Sequence, residues 1–150
     1  MRKPLLLCLA YFTLLAPAAQ AQLRDADSAI KHRRAAFTLM STYFGRLVSM
    51  AKGDRPFDRA ELIRNIELVQ YLAKLPWEGF TPGSEVGDTR AEADIWLEED
   101  RFMGYQQRLQ EALGKFRAVA NGGDLPAVAQ ALEETRSACG ACHKVFRKDW

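Results

Sequence analysis

Apolar side chains recur at three- and four-residue intervals along four segments of the chain, which is the spacing of one face of an α-helix. In the first segment, residues 25–51, the apolar positions also repeat every seven residues, as they do at the seam of a helical bundle. The seam consists of Ile30, Phe37, Phe44 and Ala51, with Met40 and Leu47 at the intervening positions. No segment has the apolar–polar alternation of a strand, so the pattern predicts an all-α protein.

Capping residues and helix breakers mark the ends of these segments. The predicted helices are residues 25–51, 58–75, 92–120 and a fourth that begins at Asp124 and continues through the C-terminal region. The N-cap candidates are Asp25, Asp27 and Ser28 for the first helix, Asp58 for the second and Asp124 for the fourth. Mostly short turns between long helices predict an antiparallel four-helix bundle, whose core commonly holds a cofactor.

One irregular stretch, residues 76–90, lies between the second and third predicted helices. Glycine and proline interrupt it, and the aromatic side chains of Trp77 and Phe80 stand near its start. Such a loop is expected to pack on the bundle. We predict that Trp77 and Phe80 plug the core, and the alternative is that they cover the apolar edge of a cofactor.

Arg33 occupies a seam position at which an apolar residue is expected. A buried cation is costly unless an anion pairs with it. Arg33 is therefore predicted either to bind an anionic group or to extend its charged end into solvent. A second apolar stripe on the same helix, Ala36, Tyr43 and Met50, predicts another buried face, which would pack against a second subunit.

Residues 1–21 have the pattern of a cleaved secretory signal peptide. Arg2 and Lys3 precede an apolar run from Leu5 to Ala16, and Ala19-Gln20-Ala21 supplies small residues for the peptidase. Cleavage after Ala21 predicts a single mature domain, residues 22–150. The apolar run is shorter than the roughly 20 residues that span a bilayer, so no membrane anchor is expected.

Removal of the signal peptide leaves the predicted mature domain electrically balanced. The full chain has 21 Lys and Arg against 19 Asp and Glu, and its net charge of +2 resides in the signal peptide. The mature domain therefore has no net charge that favours nucleic acid or an anionic membrane surface as a partner. Cys8 also leaves with the signal peptide, so the remaining cysteines are Cys139 and Cys142.

The strongest chemical signal is Cys139-Gly140-Ala141-Cys142-His143, a C-x-x-C-H run. In an exported chain it indicates covalent haem c, because each thiol can form a thioether with a haem vinyl group and the imidazole can ligate the iron. On a helix these three side chains project from one face. A thioredoxin-like site would need a βαβ context, structural zinc would need four protein ligands, and a Cys139–Cys142 disulfide would be strained.

An exported four-helix chain with C-x-x-C-H near its C-terminus resembles the cytochrome c′ family, the class II cytochromes c. Further segments similar to family motifs are residues 30–40, 44–47, 75–80, 87–90 and 95–96. The resemblance implies a periplasmic homodimer with one haem c per chain, attached at Cys139 and Cys142. It also implies that His143 is the only protein ligand of the iron.

The resemblance further implies roles for residues outside the C-x-x-C-H run. The residues expected to contact the haem are Arg33, Arg34, Thr89 and Arg90, of which the first two would lie near the propionates. Arg147 is expected on the proximal side of the haem. Phe37 is expected on the distal side, over the sixth coordination position of the iron.

Phe37 decides between two functions, because a phenylalanine cannot ligate iron. We expect high-spin, five-coordinate iron that exchanges electrons with a periplasmic redox partner and binds small gases. NO and CO would be favoured over dioxygen, because an apolar distal side offers no hydrogen-bond donor to bound oxygen. The alternative is a low-spin, six-coordinate electron carrier resembling cytochrome c-556, with Met40 or His32 as the sixth ligand. No catalytic residue or enzymatic activity is expected, because a peroxidase would need an acid–base group at the position of Phe37.

Overall fold

The computed structural model describes residues 25–149, which form a four-helix bundle. Its helices are α1, Ala26–Ala51; α2, Arg59–Leu72; a short α3, Asp94–Leu97; α4, Glu99–Gly122; and α5, Leu125–Phe146, with a 3-10 helix at Pro76–Gly79. α1 packs mainly against α2, α5 packs mainly against α4, and α2 joins the two pairs through α4. The prediction of an all-α four-helix bundle is confirmed. The expected signal peptide lies outside the described residues.

Aspartate side chains cap three of the long helices at the positions that the sequence predicts. Asp25 accepts a hydrogen bond from the backbone N–H of Ser28 at 3.1 Å. Asp58 accepts from the N–H of Ala60 at 2.8 Å, and Asp124 accepts from that of Ala127 at 2.9 Å. Each carboxylate accepts a hydrogen bond from an N–H group that has no partner within the helix. Its negative charge also interacts favourably with the positive end of the helix dipole.

The prediction of one continuous third helix over residues 92–120 is wrong. The chain leaves helical geometry at Glu98, whose φ and ψ are −121° and 47°, so that α3 and α4 are separate helices. The segment before the break forms hydrogen bonds with distant parts of the chain. Glu92 N–H donates to the carbonyl of Phe146 at 3.1 Å, and Trp96 Nε1 donates to that of Thr81 at 3.1 Å. These long-range bonds orient α3 independently of α4. The second helix is also shorter than predicted and ends at Leu72.

The core lies between the four long helices. Its most deeply buried side chains come from every one of them and include Leu47, Leu62, Ile66, Leu113, Phe116 and Val128. The second apolar stripe of α1 is buried, as predicted, but the prediction that it packs against a second subunit is wrong. Only 5% of Ala36 and 4% of Met50 is exposed within a single chain. Within residues 25–149 no helix is long and apolar enough to cross a membrane.

Candidate functional site

A cavity of about 690 Å³ lies between α1, α4, α5 and the loop that precedes α3. This volume is within the range of about 300–1,000 Å³ for small-molecule sites. The nine residues that the family resemblance assigns to the haem site all line this cavity: Arg33, Arg34, Phe37, Thr89, Arg90, Cys139, Cys142, His143 and Arg147. The tertiary fold therefore brings together residues that are up to 114 positions apart in the sequence.

The two cysteines of the C-x-x-C-H run are free thiols in the last turns of α5. Both are half-buried at the cavity wall, and burial raises the pKa of each thiol, that of Cys142 to about 11. Thioredoxin-like motifs require a lowered thiol pKa to supply a reactive thiolate. The raised pKa values therefore argue against a dithiol redox site at the C-x-x-C-H run.

His143 lies beside these thiols on the same face of α5. Burial lowers the pKa of its imidazole, and the positive charges of Arg147 and Arg90 lower it further. A lowered pKa keeps the ring neutral at physiological pH. The neutral form is the one that ligates a metal, because a lone pair must be available on nitrogen.

Arg33 is buried, with 2% of its surface exposed, and its guanidinium group holds the loop of residues 76–90. Nη1 donates to the carbonyl of Gly79 and the hydroxyl of Ser84, each at 2.6 Å. Nη2 donates to the carbonyl of Ser84 at 2.6 Å and to Oγ1 of Thr89 at 2.8 Å. The alternative in which Arg33 extends into solvent is wrong. A contact to a haem propionate would have to use Nε–H, because the other four N–H groups are engaged.

Burial lowers the pKa of Arg33 to about 10, and the carboxylate of Glu85 opposes this shift. The side chain therefore stays protonated at neutral pH. Its charge is further stabilised by the rings of Phe80 and Trp96, whose centroids lie 4.7 and 5.8 Å from the guanidinium carbon. Arg33 thus combines hydrogen bonds and cation–π contacts in the way that a buried cation requires.

Arg34 and Arg90 connect the same loop to α1 and to the C-terminal segment. Arg34 donates to the carbonyl of Asp88 at 2.9 Å and forms an ion pair with its carboxylate. Arg90 donates through Nε and Nη2 to the carbonyl of Lys148, at 3.0 and 2.8 Å. Arg147 is exposed and follows the last residue of α5. The loop is therefore fixed at both edges of the cavity.

Phe37 belongs to a connected cluster of aromatic side chains that forms much of the cavity wall. Its ring lies 6.0 Å from that of Trp77 and 6.4 Å from that of Phe80, edge to face in both cases. The cluster continues from Phe80 to Phe102, at 4.8 Å, and from Phe102 to Phe146, at 5.4 Å. Trp77 and Phe80 therefore pack in the bundle and line the cavity at the same time, which combines the two roles considered for them.

The two alternative iron ligands occupy different environments. Met40 lines the cavity and packs against the core. The Nε2 atom of His32 instead lies 2.8 Å from the carbonyl of Leu75 and 3.0 Å from a carboxylate oxygen of Glu78. His32 is absent from the cavity lining, so its assignment as a sixth ligand is wrong, and Met40 remains as the alternative.

The sequence reading missed residues that the structure brings to the cavity. Arg136 lines it one turn before Cys139, and the spacing of three residues along α5 would have indicated this. Tyr105 lines it from α4. Ser84 is completely buried as the partner of Arg33, and no local sequence signal marks this serine.

Comparison with known proteins identifies the family. A family model described as "Cytochrome C'" matches residues 28–147. This chain belongs to the cytochrome c′ family of haem proteins. The match includes the C-x-x-C-H run, the loop held by Arg33 and the part of α1 that carries Phe37.

Individual cytochromes c′ are similar over nearly their whole length. The cytochrome c′ of Alcaligenes xylosoxydans xylosoxydans is 39% identical over 85% of this chain and 98% of its own. The structure of cytochrome c prime from Shewanella frigidimarina superposes with a TM-score of 0.81, at 36% identity, and covers 84% of this chain and 98% of its own. A nitric oxide complex of a mutant cytochrome c prime from Alcaligenes xylosoxidans has a TM-score of 0.78, at 37% identity, and covers 85% and 98%.

The residues of the cavity fit haem c, the prosthetic group of the cytochrome c′ family. The cavity presents both thiols and a neutral imidazole from one face of α5. Its other walls are largely apolar, with aromatic side chains among them, and arginine side chains complete the lining. A flat, apolar group with carboxylate substituents matches this combination of thiol, imidazole, apolar and cationic side chains.

Proposed function

We propose that this cytochrome c′ is a periplasmic haem c protein with high-spin, five-coordinate iron, which transfers electrons and binds the small gases NO and CO. The observation that carries the proposal is that Phe37 and the C-x-x-C-H run line the same cavity. A ring without a ligating atom would leave the sixth iron position available to a gas. A nitric oxide complex of a similar cytochrome c prime supports this assignment.

In this proposal Cys139 and Cys142 would hold the haem through thioethers, and the imidazole of His143 would ligate its iron. Haem supplies a redox-active iron and a site for diatomic ligands. Arg33 holds the loop wall, Phe37 limits access to the distal side, and Arg147 places a positive charge near the imidazole of His143.

The hydrogen bonding of α1 supports the proposed preference for NO and CO over dioxygen. Three hydroxyl side chains of this helix line the cavity: Thr38, Ser41 and Thr42. Thr38 and Thr42 donate to the carbonyls of the residues one turn earlier, at 2.8 and 2.9 Å. Ser41 is exposed. A phenyl ring cannot donate a hydrogen bond to bound oxygen. The neighbouring hydroxyls give little stabilisation, because they already bond to backbone carbonyls or are exposed to solvent.

The second candidate function is a low-spin electron carrier with Met40 as the sixth ligand. Its support is the position of the Met40 side chain in the cavity lining. We favour the five-coordinate state because Phe37 also faces this cavity and Met40 packs against the apolar core. Neither function requires an acid–base residue, and we propose that the protein is not an enzyme.

We also propose that the protein is exported and forms a homodimer through its first two helices. Large apolar side chains remain exposed on both of them: Leu39 is 49%, Leu68 is 42% and Tyr71 is 66% exposed. Leu68 and Tyr71 are three residues apart and therefore neighbours on the surface of α2, and contiguous exposed apolar surface is typical of a protein–protein contact. Sedimentation of the wild type and of Tyr71→Arg would show a dimer in the first and a weakened dimer in the second.

Optical spectra of the purified haem-loaded protein test the central proposal. The oxidised and reduced forms are recorded with and without CO and NO. The expected result is a broad high-spin spectrum that responds to both gases. A sharp low-spin spectrum that is indifferent to CO would contradict five-coordinate iron and support the Met40-ligated carrier.

A further inference from the structure

The lining of the cavity is positively charged although the predicted mature domain is neutral. The charged residues that line it, apart from the imidazole of His143, are five arginines and one aspartate: Arg33, Arg34, Arg90, Arg136, Arg147 and Asp88. Residues 22–150 contain equal numbers of basic and acidic side chains. The positive charge at the cavity is therefore local, and acidic side chains must be in excess over the rest of the domain.

Two of these arginines are exposed to solvent, and neighbouring acidic groups offset little of their positive charge. Arg136 and Glu133 form an ion pair at 3.4 Å, and both side chains are about two-thirds exposed, at 67% and 65%. An exposed pair of this kind is only weakly stabilising, so a partner's carboxylate can replace Glu133. Arg147 is exposed at the C-terminal end of α5. We call Arg136 and Arg147 the basic rim.

The basic rim lies where a redox partner has to approach. The cavity lining includes exposed residues of both α1 and α5, among them Ser41 and Arg136, so the cavity reaches the surface between these helices. Two haem propionates would offset two positive charges and leave the lining net positive. Local charge of one sign accelerates association with partners of the opposite sign.

We propose that the basic rim is a docking surface for an acidic electron-transfer protein, whose carboxylates contact Arg136 and Arg147. This inference rests on the electron-transfer part of the proposed function and adds the charge class of the partner. Small anions are attracted by the same guanidinium groups, so the test has to separate an acidic protein from a small anion.

The first measurement uses small oxidants of opposite charge on the reduced holoprotein. One electron passes from the ferrous haem either to hexacyanoferrate(III), an anion, or to tris(phenanthroline)cobalt(III), a cation. As the ionic strength rises from about 0.01 M to about 1 M, which shortens the Debye length tenfold, we expect the first rate to fall severalfold and the second to rise. Salt-independent rates, or the opposite signs, would overturn the proposal. If neither oxidant reacts, the proposed electron transfer itself fails.

The second measurement tests docking of an acidic protein with variants of matched charge. Arg136→Glu and Lys52→Glu change the net charge equally, and Lys52, at the C-terminal end of α1, is not part of the cavity lining. With reduced flavodoxin, an acidic protein, as electron donor at low salt, we expect Arg136→Glu to be reduced about tenfold more slowly and Lys52→Glu to change less than twofold. Reduction potentials of both variants are measured so that the rates are compared at equal driving force.

High salt provides the internal control, because screening should remove the difference between the two variants. If both variants react equally fast with flavodoxin while hexacyanoferrate(III) still responds to salt, the rim attracts small anions only and the docking proposal is wrong. If Lys52→Glu is slowed as much as Arg136→Glu, net charge and not the rim governs the encounter, which also contradicts the proposal.

Discussion

Arg33 and Ser84 are 51 residues apart in the sequence and share two buried hydrogen bonds. Nη1 of Arg33 donates to the hydroxyl of Ser84, and Nη2 donates to its carbonyl, both at 2.6 Å. The Ser84 hydroxyl in turn donates to the carbonyl of Thr81 at 2.7 Å. This pair closes the loop of residues 76–90 onto α1, so the loop forms a fixed wall of the cavity.

Replacement of Arg33 by lysine should destabilise the fold. An ammonium group carries three N–H donors on a single atom, whereas the loop uses four donors spread over two nitrogens. Buried acceptors would lose their partners, and each hydrogen bond to a charged group is worth about 1.5–3 kcal/mol. We expect the free energy of unfolding in urea, followed by circular dichroism, to fall by at least about 2 kcal/mol.

Arg34→Lys is the matched control for this change. The Arg34 side chain is 53% exposed, and its partner Asp88 is 74% exposed. An exposed ion pair of this kind contributes at most about 1 kcal/mol, so the control should remain close to the wild type. Equal losses of unfolding free energy in the two variants would show that the buried hydrogen bonds of Arg33 contribute no more stability than the exposed ion pair of Arg34.

Glycine-to-alanine changes at two positions should have opposite effects. A Cβ atom at Gly79 would lie 2.8 Å from the carbonyl oxygen of Ala29 and 2.9 Å from Cβ of Arg33, so α1 and the loop would have to separate. A Cβ atom at Gly114 meets nothing within 4 Å, and alanine there should stabilise α4 by about 0.5–1 kcal/mol.

Thermal unfolding of the two variants measures this contrast. We expect Gly79→Ala to melt below the wild type and Gly114→Ala to melt above it. A Gly79→Ala protein that is as stable as the wild type would mean that the loop can move away from α1 at little cost, contrary to the tight packing of this glycine.

Phe37→Ala should accelerate CO binding to the reduced holoprotein. Removal of the ring opens the wall that it forms with Trp77 and Phe80. We expect the association rate measured by flash photolysis to rise about tenfold, which corresponds to about 1.4 kcal/mol of barrier. Phe57→Ala, at a 40% exposed position outside this cavity, serves as control. An unchanged rate in Phe37→Ala would remove Phe37 from the path of the gas.

Met40→Leu should leave the haem spectrum unchanged. Leucine has a similar volume but lacks sulfur, so the packing is largely retained while any iron–thioether bond is lost. Met50→Leu, in a buried position away from this cavity, controls for general effects of the substitution. A shift from low-spin to high-spin iron in Met40→Leu alone would identify Met40 as the sixth ligand.

Local sequence signals predicted most of the secondary structure correctly. The carboxylates of Asp25, Asp58 and Asp124 cap their helices where expected. The fourth segment also has the helical spacing of buried apolar residues that the sequence predicts, since Val128, Leu132 and Phe146 of α5 are buried. Capping and periodicity act within a few residues of the chain, so a short window of sequence contains the information they need.

Contacts between distant segments account for the errors. The segment before the break at Glu98 is oriented by backbone hydrogen bonds between residues 90 and 92 and the C-terminal segment. The burial of Ala36 and Met50 depends on how α1 is rotated against its neighbours. Helical periodicity indicates that a stripe is buried but does not specify the surface that covers it.

The sequence by itself determined the four-helix class, three of the helix starts and the C-x-x-C-H run, because each of these depends on side chains within about two helical turns. Only the tertiary structure decided that Arg33 forms hydrogen bonds with a loop about 50 residues away. It also decided that His32 faces away from the cavity and that Arg136 is part of the cavity lining. Those features require loop and helices to meet in three dimensions. The physical reason is that a guanidinium or imidazole group forms hydrogen bonds with whichever acceptors lie near it, and the packing of the fold decides which acceptors those are.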